Sequence, residues 1–216
     1  MMLNWTSILF LFLGWLLGLL SPVITDMIRS RRLMKEITKG ILAELEEFRY
    51  DLVAKTYSLS LHVGSFDREF LKWVRSTMED CKTVRYQDQK VRMLSGVTEL
   101  LKCKDGDMQE VTEYFISDGT SARSLRKMEL PFLDAKLDFI SKFEINVQQN
   151  LLEIRTRVRT LNELIDESHE YLRMTFDSTI SEENQERVQL NLDTSYVKIN
   201  EQARLIADRI GKLKLP

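Results

Sequence analysis

Histidines are the first side chains to test for chemistry, and the sequence offers two, His62 and His169. Asp166 and His169 lie one helical turn apart, the spacing at which a carboxylate and an imidazole share iron in a helical di-iron centre. Such a centre takes two of these pairs and two further glutamates, and the sequence supplies one pair. His169-Glu170 runs on into Tyr171, Leu172 and Arg173, without the second histidine of a zinc-protease helix. The reading left for Asp166 and His169 is a surface hydrogen bond along one helix. His62 has no convincing partners.

Cys81 and Cys103 are the only cysteines, and two thiols at a separation of 22 make no zinc pattern. In a cytoplasmic body they are expected to be free and to act as small buried apolar residues. Asp105-Gly106-Asp107 lacks the ligand spacing of a calcium loop and reads as a turn. Arg155, Arg157 and Arg159 are splayed by helical geometry rather than stacked, which makes a poor phosphate clamp. There is no glycine-rich phosphate loop, no G-x-S-x-G and no cysteine with a base and an orienter. The expectation is therefore a protein that is not an enzyme, with no catalytic residue, cofactor, metal or small-molecule substrate.

The chain has 216 residues with 31 basic and 33 acidic side chains. Setting aside five basic residues (Arg29, Arg31, Arg32, Lys35, Lys39) and two acidic ones (Asp26, Glu36) leaves 26 and 31, a net charge of −5. A body of that balance is not built for nucleic acid.

The element that dominates the sequence is Trp5 to Ile24, WTSILFLFLGWLLGLLSPVI, which has no charged side chain. As a helix its length is about 30 Å, the thickness of a bilayer's hydrocarbon core. A cleaved signal peptide would need a basic n-region and a small-x-small site, and neither is found around Leu19, Leu20 and Ser21. The basic cluster Arg29, Arg31, Arg32, Lys35 and Lys39 follows the span and no Lys or Arg precedes it, so the amino terminus is expected outside and the body in the cytoplasm, which for a bacterial protein means the inner membrane. The same cluster would meet anionic headgroups, although topology control explains it as well. Trp5 suits an interfacial anchor; Trp15 falls near mid-membrane and is expected to pack on lipid or another helix. Gly14 and Gly18 form a G-x-x-x-G that lets two backbones approach, though glycine is common in membrane helices anyway. Pro22 removes the donor for the Gly18 carbonyl and predicts a kink or break near Ser21, or a new helix capped by Ser21.

The rest reads as all-α: a membrane anchor and juxtamembrane start over 1–28, then an elongated cytoplasmic antiparallel helical bundle over 29–216. Met34, Ile37, Ile41, Leu45, Phe48, Leu52 and Leu59 keep steps of three and four over about 29–62, with Lys39, Glu44, Glu46, Glu47, Arg49 and Asp51 as the solvated face. Ser65 is the expected N-cap of a helix carrying Phe66, Phe70, Trp73, Val74, Met78 and Cys81, an aromatic stripe read as core. Residues 82–130 are less regular: Val84 to Leu94 as helix or strand, a short helix from Met108 to Ile116, and turns around Gly106 and at Ser117-Asp118-Gly119-Thr120. A helix over about 131–176 opens at Pro131 and contains the heptad Val147, Leu151, Ile154, Val158, Leu161, Ile165, Ser168, Leu172, Thr175. Ser181 caps a last helix to about 213, so these two form a coiled-coil-like hairpin. Asn162, Asn184, Asn191 and Asn200 are read as surface for the most part, with register-setting contacts as the alternative.

One span and a helical body are shared by many unrelated proteins and indicate no family. The leading expectation is a membrane-anchored interaction or scaffold protein whose partners are membrane lipid and a protein, or itself, bound through a helix face. The alternative is a membrane-active effector whose spans oligomerise and perturb the bilayer.

Overall fold

The computed structural model describes residues 5–64, 66–82, 87–104 and 125–213, without the side chains of Ser7 and His62. Among the described residues all regular structure is helical and there is no strand. Its helices are α1 (Trp5–Val63), α2 (Arg68–Asp80), α3 (Gln87–Lys102), α4 (Pro131–Ala135), α5 (Leu137–Ile140), α6 (Ile145–Thr175) and α7 (Glu182–Lys212). Compactness divides the chain inside α1, into residues 1–41 and residues 42–216.

In the first unit every described residue from Trp5 to Leu33 is exposed, and burial begins at Ile37, Thr38 and Ile41. The expected break at Pro22 is absent: α1 runs through it. A proline costs a helix one donor and some strain, and the turns on either side still bond normally. The Thr25 hydroxyl also donates to the Ser21 carbonyl at 2.8 Å, on the turn where the break was expected. At its far end α1 stops where expected, at Gly64, whose φ of 68° is the left-handed conformation that closes a helix and that glycine adopts without a Cβ penalty.

The second unit is built on the apolar stripes. Leu45, Phe48, Leu52 and Leu59 of α1 are buried, as is Thr56 at the polar skip in their spacing. Arg49 departs from the solvated face assigned to it and is 7 % exposed. Tyr50 and Val53 of α1 join Phe66, Phe70, Leu71, Val74, Met78 and Cys81, with Val97 of α3 and Ala207 of α7, in one core cluster. Trp73 is half-buried at the edge, its indole donating to Asp208 at 2.8 Å with the Arg204 guanidinium over its ring. Asp67, not Ser65, caps α2: its carboxylate accepts from the Phe70 amide at 2.6 Å, while Ser65 lies outside the described residues.

The ambiguous stretch after Lys82 is helix from Gln87 onward. The turns around Gly106 and Gly119 and the helix expected over Met108 to Ile116 lie outside the described residues. The single helix expected over 131–176 is instead three. Pro131 opens α4 as expected, but α4 ends at Ala135, α5 at Ile140, and α6 begins only at Ile145. The Gln148 amide closes the second gap, donating to the carbonyls of Ser141 at 3.3 Å and Phe143 at 2.7 Å. Along α6 the heptad residues Val147 through Ser168 are buried, and Leu172 and Thr175 are partly so. They pack against Val188, Leu192, Tyr196, Ile199, Ala203, Ile206 and Ile210 on the buried side of α7. Ser181 takes the N-cap position of α7 but makes no side-chain cap, leaving Glu182 and Glu183 to favour the helix dipole.

Candidate membrane anchor and polar contacts of the body

The first candidate site is the apolar half of α1. Trp5, Phe10 and Leu11 are 78 %, 73 % and 78 % exposed, and large apolar side chains stay exposed as far as Met27 and Ile28. The most apolar window of this helix has a mean hydropathy of 2.3 and none of it is buried. α1 is thus long and apolar enough, close to the amino terminus, to span a membrane. Water is a poor solvent for so much contiguous hydrocarbon, at about 25 cal/mol per Å².

Gly14 and Gly18 sit on the span with nothing within 4 Å of the position a Cβ would take. Trp15 is 59 % exposed and tilts against Phe12, ring centroids 5.8 Å apart. Arg29, Arg31, Arg32, Lys35 and Lys39 are all exposed. At about 100° per residue, Arg31, Arg32, Lys35 and Lys39 share one face, turned away from buried Ile37 and Ile41.

In the body the residues singled out for chemistry go to structural contacts. Asp166 pairs with Lys127 at 2.7 Å, and His169 Nε2 lies 2.7 Å from the Leu125 carbonyl. A carbonyl only accepts, so Nε2 carries the proton. The Asp166–His169 pairing expected along the helix thus gives way to contacts with Leu125 and Lys127, in the non-helical residues before α4. Arg155, Arg157 and Arg159 do splay, to Asp134 at 2.6 Å, Glu153 at 2.9 Å and Glu163 at 3.8 Å. Both cysteines are free, but only Cys81 is buried; Cys103 is half-exposed, contrary to expectation. Burial pushes the Cys81 thiol up to about 11, far from a reactive thiolate. No group of three or more metal-ligating side chains occurs among the described residues. His62 falls in the last turn of α1, its side chain outside those residues.

Several polar contacts were not legible beforehand. Glu44 accepts from the backbone amides of Phe132 at 2.6 Å and Leu133 at 2.8 Å, capping α4 across 88 residues of sequence. Buried Arg49 donates to Asp80 at 2.8 Å, and the guanidinium beside it holds the Asp80 carboxyl below its ordinary value. Asn200 is buried, not at the surface, and donates to Ser60 Oγ at 2.8 Å; Asn184 and Asn191 are exposed. Asn162 is half-buried, with both amide atoms bonded to Met128. No family model, curated protein or solved structure matches the chain.

Proposed function

We propose that this chain is a single-pass membrane-anchored interaction protein. In this reading the Trp5 to Ile24 segment crosses the bilayer, Arg29 through Lys39 stay on the cytoplasmic side, and residues 42–216 form an antiparallel helical bundle that recruits or scaffolds a protein partner. The coiled-coil-like hairpin of α6 and α7 is supported by the Arg209–Glu153 ion pair, which joins the end of one helix to the start of the other. One observation carries the proposal: the charge-free, exposed apolar run from Trp5 to Ile24 at the head of a helix whose later turns are buried. The proposal assigns the protein no catalytic role.

The test is alkaline extraction of membranes, followed by pulldown of the detergent-solubilised chain. Retention in the membrane and repeated recovery of one partner, or of the chain itself, are expected. Release by alkali, or recovery of nothing, overturns the proposal. The open strip at Gly14 and Gly18 favours a second reading, a membrane-active effector whose spans assemble. Inducible expression with a membrane-potential dye separates the two. Depolarisation by the intact chain, lost in Gly14→Leu/Gly18→Leu and in a chain starting at Met34, supports the effector; its absence removes that reading.

A further inference from the structure

Residues 125–130 have no regular secondary structure and run along α6, bonded to it by side chains. From the α6 side the contacts come at Asn162, Asp166 and His169, which are i, i+4 and i+7 and so lie on one helix face. Asn162 Oδ1 accepts from the Met128 amide at 2.9 Å and its Nδ2 donates to the Met128 carbonyl at 2.8 Å, pairing the amide with both backbone groups of one residue as a neighbouring strand would. Asp166 holds Lys127 at 2.7 Å, and His169 Nε2 donates to the Leu125 carbonyl at 2.7 Å. The register has a simple cause. Seven helical residues rise about 10.5 Å and three extended residues about 10 Å, so an extended chain meets this face at each end.

From Lys127 to Leu130 the side chains alternate as in a bound extended peptide: Lys127 and Glu129 are exposed, Met128 and Leu130 buried; Arg126, before them, is exposed as well. Beneath Leu125 and Met128 the floor is apolar, made by Leu161 and Ile165 of α6, Leu52 and Leu59 of α1, and Ile199 of α7. We infer that the Asn162–Asp166–His169 face of α6 with this floor is a recognition groove for an extended peptide, filled here by the chain's own residues 125–130. Its partner is a protein segment with a basic residue followed by apolar residues in the first and third positions after it, and that segment displaces the chain's own strap. The polar contacts favour exchange: Lys127 and Asp166 are 53 % and 52 % exposed, so their bond holds weakly against water. A backbone bonded mainly to side chains opens without unravelling any helix.

This inference rests on the interaction-protein reading and names its docking chemistry. The probe is a fluorescein-labelled hexapeptide, Leu-Arg-Lys-Met-Glu-Leu, the sequence of residues 125–130, added to the detergent-solubilised full chain. A Met128→Ser variant, which loosens the strap, is expected to bind it at least ten-fold more tightly than the unaltered chain does. Adding Asn162→Leu should abolish binding. Adding Asp166→Lys should transfer binding to a hexapeptide with Glu in place of Lys, a charge rescue that a purely structural role would not give. A Met128→Ser chain with unaltered helix content that binds no better, or binding indifferent to both second substitutions, overturns the inference. Where that variant does not fold, amide exchange in the unaltered chain decides. Excess hexapeptide should speed exchange of the Met128 amide at least three-fold while leaving Leu161 unchanged; no change overturns it. Failure here with alkali-resistant membrane association and partner recovery intact removes the groove alone.

Discussion

Gly211→Ala tests the least expected feature of the body, the buried Arg49. Gly211 lies in the last turn of α7 and has an ordinary helical backbone, so alanine alone should gain up to about 1 kcal/mol of helix propensity. Its new Cβ, however, would sit 2.6 Å from Arg49 Nη2 and 2.8 Å from Cζ, closer than real contacts allow. The guanidinium must move, and it is held: its side chain is 9 % exposed and Nη1 donates to Asp80 at 2.8 Å. A charge-assisted bond of this kind contributes about 1.5–3 kcal/mol, towards the lower end here because Asp80 is 64 % exposed and keeps its water. The loss outweighs the propensity gain, and we expect Gly211→Ala to destabilise the body by about 1 kcal/mol.

The sign should reverse once Arg49 is gone. In an Arg49→Met background the stem's packing is kept and the guanidinium removed, so Gly211→Ala should stabilise by about 0.5–1 kcal/mol, a coupling of about 1.5–2 kcal/mol. Arg49→Met is itself tolerated better than loss of a fully bonded arginine, because Arg49 Nε is buried without a partner. Urea titrations of the four detergent-solubilised full-length chains, followed by circular dichroism at 222 nm, give the cycle, provided the slopes agree. An equal effect of Gly211→Ala in both backgrounds, or stabilisation of the unaltered chain, refutes the reasoning.

Three further outcomes follow from the same contacts. Glu44→Ala leaves the Phe132 and Leu133 amides without their acceptor and should cost about 1–2 kcal/mol in the same titration, whereas Glu186→Ala, at an exposed site, should cost far less. Because Arg49 lowers the folded-state pKa of Asp80, the pair's contribution is present above the ordinary value of 3.8 and is lost as pH falls through the lower folded value; Arg49→Met should remove that acid-side loss, and identical acid titrations would exclude it. Maleimide at neutral pH should label half-exposed Cys103 readily and Cys81 only on unfolding, since Cys81 is 2 % exposed with its thiol pushed up to about 11; equal labelling of both in the folded chain would contradict the packing of α2.

Local patterns carried the sequence reading where it succeeded. The charge-free run to Ile24, the steps of three and four in α1 and α6, and the stripe from Phe66 to Cys81 each repeat within one helix, and each gave an element of the right kind. The same rule misled at the break before α6. Leu133, Leu137, Ile140, Phe143 and Val147 keep helical steps straight through residues 141–144, because the turn there buries Phe143 as a helix would have done. Spacing records which residues are buried, not whether the backbone between them stays helical.

The sequence by itself determined that the chain is all-α, that its amino-terminal hydrocarbon is long enough for a bilayer, and that no motif for catalysis or metal binding is present. Only the tertiary structure decided which charges are structural. Glu44 and Arg49 look like two more solvated residues until α4 and α2 bring the Phe132 and Leu133 amides and Asp80 to them. Asn162, Asp166 and His169 look like surface until residues 125–130 lie along them. Periodicity is a property of one helix, whereas a hydrogen bond across tens of residues depends on where both partners are placed, and that placement is set by the packing of the whole core.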